Sequence, residues 1–162
     1  MNDSEITFRL AQMSDLKEMQ ALFVETISAI CKDDYEPAQI RVWTSSIENI
    51  ERWTDKLENQ YFLIAQCDNK IIGYVSLEND DFIDFIYVHK DFQKQGIAGR
   101  LYDKIEKEAI KRGATTLKSD VSITARPFFE KRGFKVLSKH NVRIRDIEIA
   151  NYKMAKELTT YK

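Results

Sequence analysis

Ile83 to Arg100 reads IDFIYVHKDFQKQGIAGR, and the fold turns on how this stretch is read. Ile83 to Val88 is an apolar run of strand length, interrupted only by Asp84. A polar turn follows at His89, Lys90 and Asp91, and Gln93-Lys94-Gln95-Gly96-Ile97-Ala98-Gly99 then leads into an amphipathic helix. A strand that passes through a glycine-bearing loop into a helix N-terminus is a physical device for holding phosphate. The first backbone N–H groups of the helix have no partner inside it, and the helix dipole adds partial positive charge there. Gly96 lets the backbone approach a ligand without a Cβ in the way, and Gly99 leaves room one turn later. Lys94 and Arg100 add positive charge beside the same spot. Alone, a Gly-x-x-Gly is more often a turn and a helix–sheet packing contact. There is no Gly-Lys-Ser/Thr of a P-loop, and Gln93 to Ala98 holds one glycine, fewer than a dinucleotide fingerprint requires.

Upstream, residues 5–11 alternate as a strand, and Ser14 is the expected N-cap of a helix carrying Leu16, Met19, Phe23, Ile27 and Ile30 on one face. CKDDYEP breaks it, and a second helix runs from about Pro37 through Ile40, Trp43, Ile47 and Ile50. Trp53 and Leu57 belong either to that helix or to a short following turn. YFLIAQC and KIIGYVSLE then form a hairpin turned at Asp68-Asn69. Downstream of the glycine loop, Ile97, Leu101, Ile105 and Ala109 line one side of a helix ending at Gly113. TTLKSDVS is the next strand, Thr124 is the expected cap of a short helix, and two final strands turn near Arg143–Asp146. The order predicts one α/β domain over residues 1–162, a three-layer mixed sheet of about seven strands with helices on both faces.

Composition narrows the function. Hydrophobic residues at 43% and charged residues at 31% describe an ordinary globular chain. A formal net charge of −1 argues against a nucleic-acid partner, which selects for basic excess. No apolar run reaches membrane-spanning length, and the N-terminus lacks a basic-then-apolar signal. Cys31 and Cys67 stand apart with no ligand spacing and read as reduced, cytoplasmic thiols; with only His89 and His140 besides, no metal site is expected.

Downstream of the loop comes Ser122-Ile-Thr-Ala125-Arg-Pro-Phe128-Phe129-Glu-Lys-Arg-Gly133-Phe134. This resembles the second signature of the GNAT superfamily of acetyl-CoA-dependent N-acetyltransferases, Asn-x-x-Ala-x-x-Phe-Tyr-x-x-x-Gly-Phe. The loop resembles the family's pyrophosphate motif, Gln/Arg-x-x-Gly-x-Gly/Ala, through Gln93, Gly96 and Ala98. Tyr35-x-Pro37-x-Gln39-Ile40 with Trp43, Arg52-Trp53-x-x-Lys56-Leu57, and Ile83-Asp84 resemble the YafP-type branch of small bacterial acetyltransferases.

The resemblance implies a sheet whose fourth and fifth strands start parallel and splay apart, with the pantetheine arm of acetyl-CoA in the gap. It places the backbone of Ile86, Tyr87 and Val88 against that arm. The amides from Gln95 to Arg100, with Gln93 and Lys94 beside them, take the pyrophosphate. It also implies direct attack by an acceptor amine on the thioester, the acceptor being a small molecule or peptide and the protein a monomer or homodimer. Two positions depart from the signature. The family's Asn is Ser122, and its Tyr, often the acid for the leaving thiolate, is Phe129, which packs on the cofactor but has no proton to give. Ser122 or water is then the donor. The alternative is a catalytically idle acyl-CoA-binding module, and the missing tyrosine is what favours it.

A base is needed because an alkylamine with a lysine-like pKa of about 10.4 costs roughly 4–5 kcal/mol to deprotonate at pH 7. Asp84 is the candidate. By strand alternation it shares a face with Phe82, Ile86 and Val88, where a lone carboxylate must find hydrogen bonds. The competing reading is a structural aspartate bound to backbone groups or to an arginine such as Arg143. Of the aromatics in the helical region, Trp43 at helical spacing reads as core and Tyr35, in the break between helices, as reaching the cleft. His140 reads as an exposed side chain or a proton relay.

Overall fold

The structure is a computed structural model describing residues 5–159. In chain order it contains β1 (Ile6–Leu10), α1 (Leu16–Ile30), α2 (Pro37–Thr44), α3 (Ile50–Asn59), β2 (Tyr61–Cys67), β3 (Lys70–Glu78) and β4 (Phe82–Val88). Then come α4 (Ile97–Lys111), β5 (Thr116–Ser122), α5 (Arg126–Lys131), β6 (Lys135–Ile144) and β7 (Ile147–Glu157). The strands form one seven-stranded sheet in the order β1-β2-β3-β4-β5-β7-β6. Among the described residues only β4 and β5 pair in parallel. The mixed, three-layer architecture is the expected one.

Two hydrophobic cores sit on opposite faces of the sheet. On one, Ile97, Leu101 and Ile105 of α4 and Phe129 of α5 meet Ile72, Val75, Ile83 and Leu117. On the other, Met19, Phe23 and Ile27 of α1 and Trp53 of α3 meet Phe62, Ile64, Tyr74 and Phe85. The hairpin turns are left-handed at both central residues, Asp68-Asn69 (φ 51° and 64°) and Arg145-Asp146 (φ 49° and 66°). That is the twist two-residue hairpins require, and Asn and Asp tolerate it best. Among the described residues no helix is long and apolar enough to cross a membrane.

Three local expectations are corrected. Ser14 lies inside a 3-10 turn, Met13–Asp15, and the capping carboxylate is Asp15. Asp15 accepts the Gln12 N–H at 2.7 Å and is gripped by the Arg9 guanidinium at 2.8 and 2.9 Å, which holds its carboxyl below the usual range. The single helix expected from Pro37 to Ile50 is two helices joined by a 3-10 turn, Ser45–Glu48. Thr44 and Ser45 donate their hydroxyls back to the carbonyls of Ile40 (2.8 Å) and Val42 (2.6 Å), and such local bonds compete with helix propagation. Asn49 then restarts the chain by accepting the Arg52 N–H at 3.1 Å, which places Trp53 and Leu57 in α3. Finally, Thr124 donates to Asp34 at 2.8 Å and does not cap α5; the hydroxyl of Ser122 accepts the Ala125 N–H at 3.0 Å.

Candidate active site

β4 and β5 pair only at Phe82–Lys118 and Ile83–Ser119. Beyond that the strands part, β4 running to Val88 and β5 to Ser122. Ser119 fastens the last paired step by donating its hydroxyl to the Ile83 carbonyl at 2.8 Å. The implied splay is present.

The next step along β4 decides where Asp84 goes. Val75 faces Ile86 and Leu77 faces Ile83, so Asp84 and Phe85 together oppose Ser76. This is a β-bulge, and the Phe85 N–H donates to the Ser76 hydroxyl at 3.0 Å because the ladder no longer reaches it. The extra residue resets the alternation. Ile86 and Val88 pack on the α4 side, whereas Asp84, Phe85 and Tyr87 face the helices of the other layer. The expectation that Asp84 shares a face with Ile86 and Val88 is therefore corrected.

The ladder also fixes which backbone groups are open. The His89 N–H donates to the Ile72 carbonyl at 2.8 Å, and in an antiparallel pair hydrogen-bonded partners alternate. Tyr74–Tyr87 is then the next bonded pair, so the peptide groups of Tyr87 serve the sheet and only its side chain meets the cleft. Those of Ile86 and Val88 point into the gap. The Val88 carbonyl is already taken by Gln93 Nε2 (2.6 Å) and the Thr26 hydroxyl (3.2 Å). Gln93 thus ties the end of β4 to the loop.

In the loop, Lys94 (φ 60°) and Gly96 (φ 78°) are both left-handed, and Gly96 caps α4. The Arg100 N–H donates to the Gly96 carbonyl at 3.1 Å, so the expected run of free amides from Gln95 to Arg100 stops short. Those without an intrahelical partner at the helix start are Gly96, Ile97, Ala98 and Gly99. The Ile97 side chain is buried in the core, and only its N–H is available. Lys94 and Gln95 are exposed beside them. Arg100 does not lie over the loop: its guanidinium sits 5.0 Å from the centre of the Phe8 ring, next to Lys104.

His89 holds the turn that delivers this loop. Its Nδ1 accepts the Asp91 N–H at 3.0 Å, which requires an unprotonated nitrogen, and burial, assisted by Lys70, lowers its pKa from 6.5. Glu25, Asp91 and Lys90 also face it, the two carboxylates opposing the shift. A lowered folded pKa means that the unfolded chain binds the proton more readily. The stability from neutral His89 is thus fully present above pH 6.5 and is lost as pH falls through the lowered value. His89→Asn keeps an acceptor but cannot titrate, so the melting temperature of this variant should fall less than wild type below pH 6.5. Parallel profiles for the two proteins would contradict this role.

Behind the gap lies a cleft of about 480 Å³ lined by Asp84, Ile86, Tyr87, Val88, Gln93, Ala98, Ser122 and Phe129, all expected site residues. The volume suits a ligand of coenzyme-arm size. One end is aromatic, with Phe23, Tyr35, Trp43, Trp53, Phe85 and Tyr87 in its walls. Trp43, half-buried, packs against the core as expected and also forms part of that wall. Tyr35 reaches the cleft as expected and does more. Its hydroxyl donates to the Ala150 carbonyl at 2.7 Å and accepts the Ile123 N–H at 2.9 Å, and burial pushes its pKa up to about 12. Burial likewise pushes the Tyr87 hydroxyl up, so both are protonated at neutral pH. Phe129 is buried against Phe134, ring centres 5.0 Å apart. His140 is exposed on edge strand β6 and outside the cleft lining.

Asp84 finds its partners on α3. Lys56 Nζ and Gln60 Nε2 donate to its Oδ2 at 2.6 and 2.7 Å, leaving Oδ1 without a partner among the described residues. Arg143 is not involved. The pairing crosses the sheet face, between elements whose residues are 28 and 24 positions apart, and a bulge sets it; no local pattern in the sequence signals it.

A family model described as Acetyltransferase (GNAT) domain matches residues 31–158. A curated relative, the uncharacterized N-acetyltransferase YafP of Escherichia coli (strain K12), is 28% identical over 151 residues, which is 93% of this chain and 95% of that protein. The crystal structure of a GCN5-related N-acetyltransferase from Rhodopseudomonas palustris superposes with a TM-score of 0.92 at 34% identity, covering 98% of this chain and 99% of that one. The PaiA N-acetyltransferase of Thermoplasma acidophilum, solved in complex with coenzyme A, shares the fold, with a TM-score of 0.75 at 19% identity over 94% of this chain and 99% of that one. The family match runs through the split strands, the glycine loop and α5 alike, and the chain belongs to the GNAT acetyltransferase family.

Proposed function

We propose that this N-acetyltransferase binds acetyl-CoA across the split sheet and passes its acetyl group directly to an amine held in the aromatic half of the cleft. The observation that carries this reading is the split itself. Next to it stand the open peptide groups of Ile86, the Val88 N–H and unpaired amides at Gly96 to Gly99. An ideal Cβ on Gly96 has no atom within 4 Å, so the glycine faces free space of the kind a phosphate needs. Pantetheine, a chain of two amides, pairs with the Ile86 peptide groups and the Val88 N–H as a strand would.

In the reaction the acceptor ammonium first gives one proton to Asp84 Oδ1, directly or through water; the free amine nitrogen then attacks the thioester carbon and the C–S bond breaks. The leaving thiolate takes a proton from Ser122 or water, and that proton is replaced by the second one, which the acetylated nitrogen sheds. Ser122 accepts the Ala125 N–H with a lone pair, which leaves its own O–H free to donate. Cys31 also lines the cleft, but burial pushes its thiol up, away from the thiolate an acyl-carrying nucleophile needs. The acceptor is a small molecule or peptide amine, and a chain with only two cysteines suits a reducing, cytoplasmic setting.

The test is release of free thiol from acetyl-CoA across alkylamines, aromatic amines and peptide N-termini. Amine-dependent thiol release is the expected result. Tight coenzyme binding with no release for any acceptor would favour the idle binding module.

A further inference from the structure

The guanidinium beside the open amides of α4 belongs to Arg132, the residue before Gly133 at the end of α5. A Cβ built on Gly99 would run into Arg132 Nη2, with Cζ 3.3 Å away. The group therefore meets the flank of the first turn of α4 end-on through Nη2, beside Ile97, Ala98 and Gly99, whose N–H groups have no intrahelical partner. Its position is fixed from three sides. Nη1 donates to Asp103 at 2.7 Å, and the cation stands 5.4 Å from the ring centres of both Tyr102 and Phe128. Two aromatic rings and one carboxylate hold the guanidinium in place, and only one of its five donors is used by Asp103.

Phe128, which the cation contacts, lines the cleft, and Arg132 itself stands outside that lining. Arg132 keeps a third of its side-chain surface exposed, at 33%, which leaves it open to a ligand. Arg100, by contrast, is turned onto Phe8.

We infer that Arg132 is a binding residue for the pyrophosphate of the co-substrate, and that Gly99 is glycine because the guanidinium occupies the place of its side chain. This rests on the acetyl-CoA reading above. A phosphate over the first-turn amides of α4 then meets amides on one side and the unused Nη2 and Nε donors of Arg132 on the other. Charge-assisted bonds of this sort are the strong ones.

The test is calorimetric titration of the full chain with CoA, 3′-dephospho-CoA and S-acetylpantetheine, for wild type, Arg132→Gln, Gly99→Ala and the double variant. Circular dichroism checks folding. Arg132→Gln should weaken CoA about tenfold, the scale of one charge-assisted hydrogen bond. It should weaken 3′-dephospho-CoA equally and leave S-acetylpantetheine, which has no phosphate, unchanged. Gly99→Ala should weaken CoA by displacing the guanidinium, yet add nothing in the Arg132→Gln background, since the two changes remove one interaction.

A merely structural Arg132 would alter all three ligands alike or none, and either result overturns the inference. A penalty that vanishes with 3′-dephospho-CoA overturns the pyrophosphate assignment in favour of the 3′-phosphate. Wild type that binds no CoA at all would overturn the acetyl-CoA reading itself. Wild-type affinity in a folded Arg132→Gln overturns only the role of this residue.

Discussion

Asp84→Asn slows acetylation of an alkylamine by about a hundredfold to ten-thousandfold, the factor typical of losing a general base. The acceptor arrives protonated, and removing that proton at pH 7 costs roughly 4–5 kcal/mol. Asp84 is placed to take it because the bulge opposite Ser76 turns it into the cleft and Lys56 and Gln60 occupy only Oδ2. Asn keeps the size and an acceptor for Lys56, so the fold should survive. An aromatic amine is largely unprotonated before binding and should lose much less in the same variant. The wild-type rate on an alkylamine should also rise with pH as more free amine is available. Steady-state rates on the two acceptors, with a thermal melt, separate the outcomes. Equal losses with early melting would make Asp84 structural, an anchor for α3. Full alkylamine activity would remove it from the mechanism.

Gly96→Trp should weaken acetyl-CoA binding by about a hundredfold. Two effects combine. A non-glycine residue at φ 78° carries strain of about 1–3 kcal/mol, which the loop relieves by moving away from the left-handed cap. The indole also fills the open space in front of the amides, where an ideal Cβ meets no atom within 4 Å. That emptiness means the protein itself has room for the ring, so the damage should fall on the ligand and not on the core. Gly96→Ala isolates the strain and should lose less. Unchanged affinity in a folded Gly96→Trp would sink the pyrophosphate assignment to this loop.

Much of the fold could be read from periodicity. Apart from the stretch after Pro37, the strands and helices with a clean apolar period are where the pattern puts them, because one-sided burial writes that period into the sequence. The glycine loop was legible for the same local reason: strand, left-handed glycine and helix start are contiguous. What stayed hidden depends on contacts between distant segments. The bulge at Asp84–Phe85 is set by Ser76 on the neighbouring strand, and without it the face of Asp84 comes out wrong. Lys56 meets Asp84 across 28 positions. Arg132 reaches Gly99 from another helix, whereas Arg100, which looks right in the sequence, is drawn away by the Phe8 ring. The break at Thr44 to Asn49 was written locally, in hydroxyl residues, but a regular apolar spacing masked it.

The split between β4 and β5 is also an answer to a solubility problem. A row of unpaired peptide groups normally invites a strand from another molecule, and proteins blunt such rows with charge, bulges or closure. Here part of the row lies in the middle of a sheet, between a layer built on α1 and α3 and a layer built on α4 and α5. A foreign strand brings side chains on both faces and would collide with both layers. A slim polyamide thread without them can slide in. The same geometry that invites a coenzyme arm therefore excludes self-templated aggregation, and the outer edge β6 is left to guard itself with Lys135, Lys139 and Arg143.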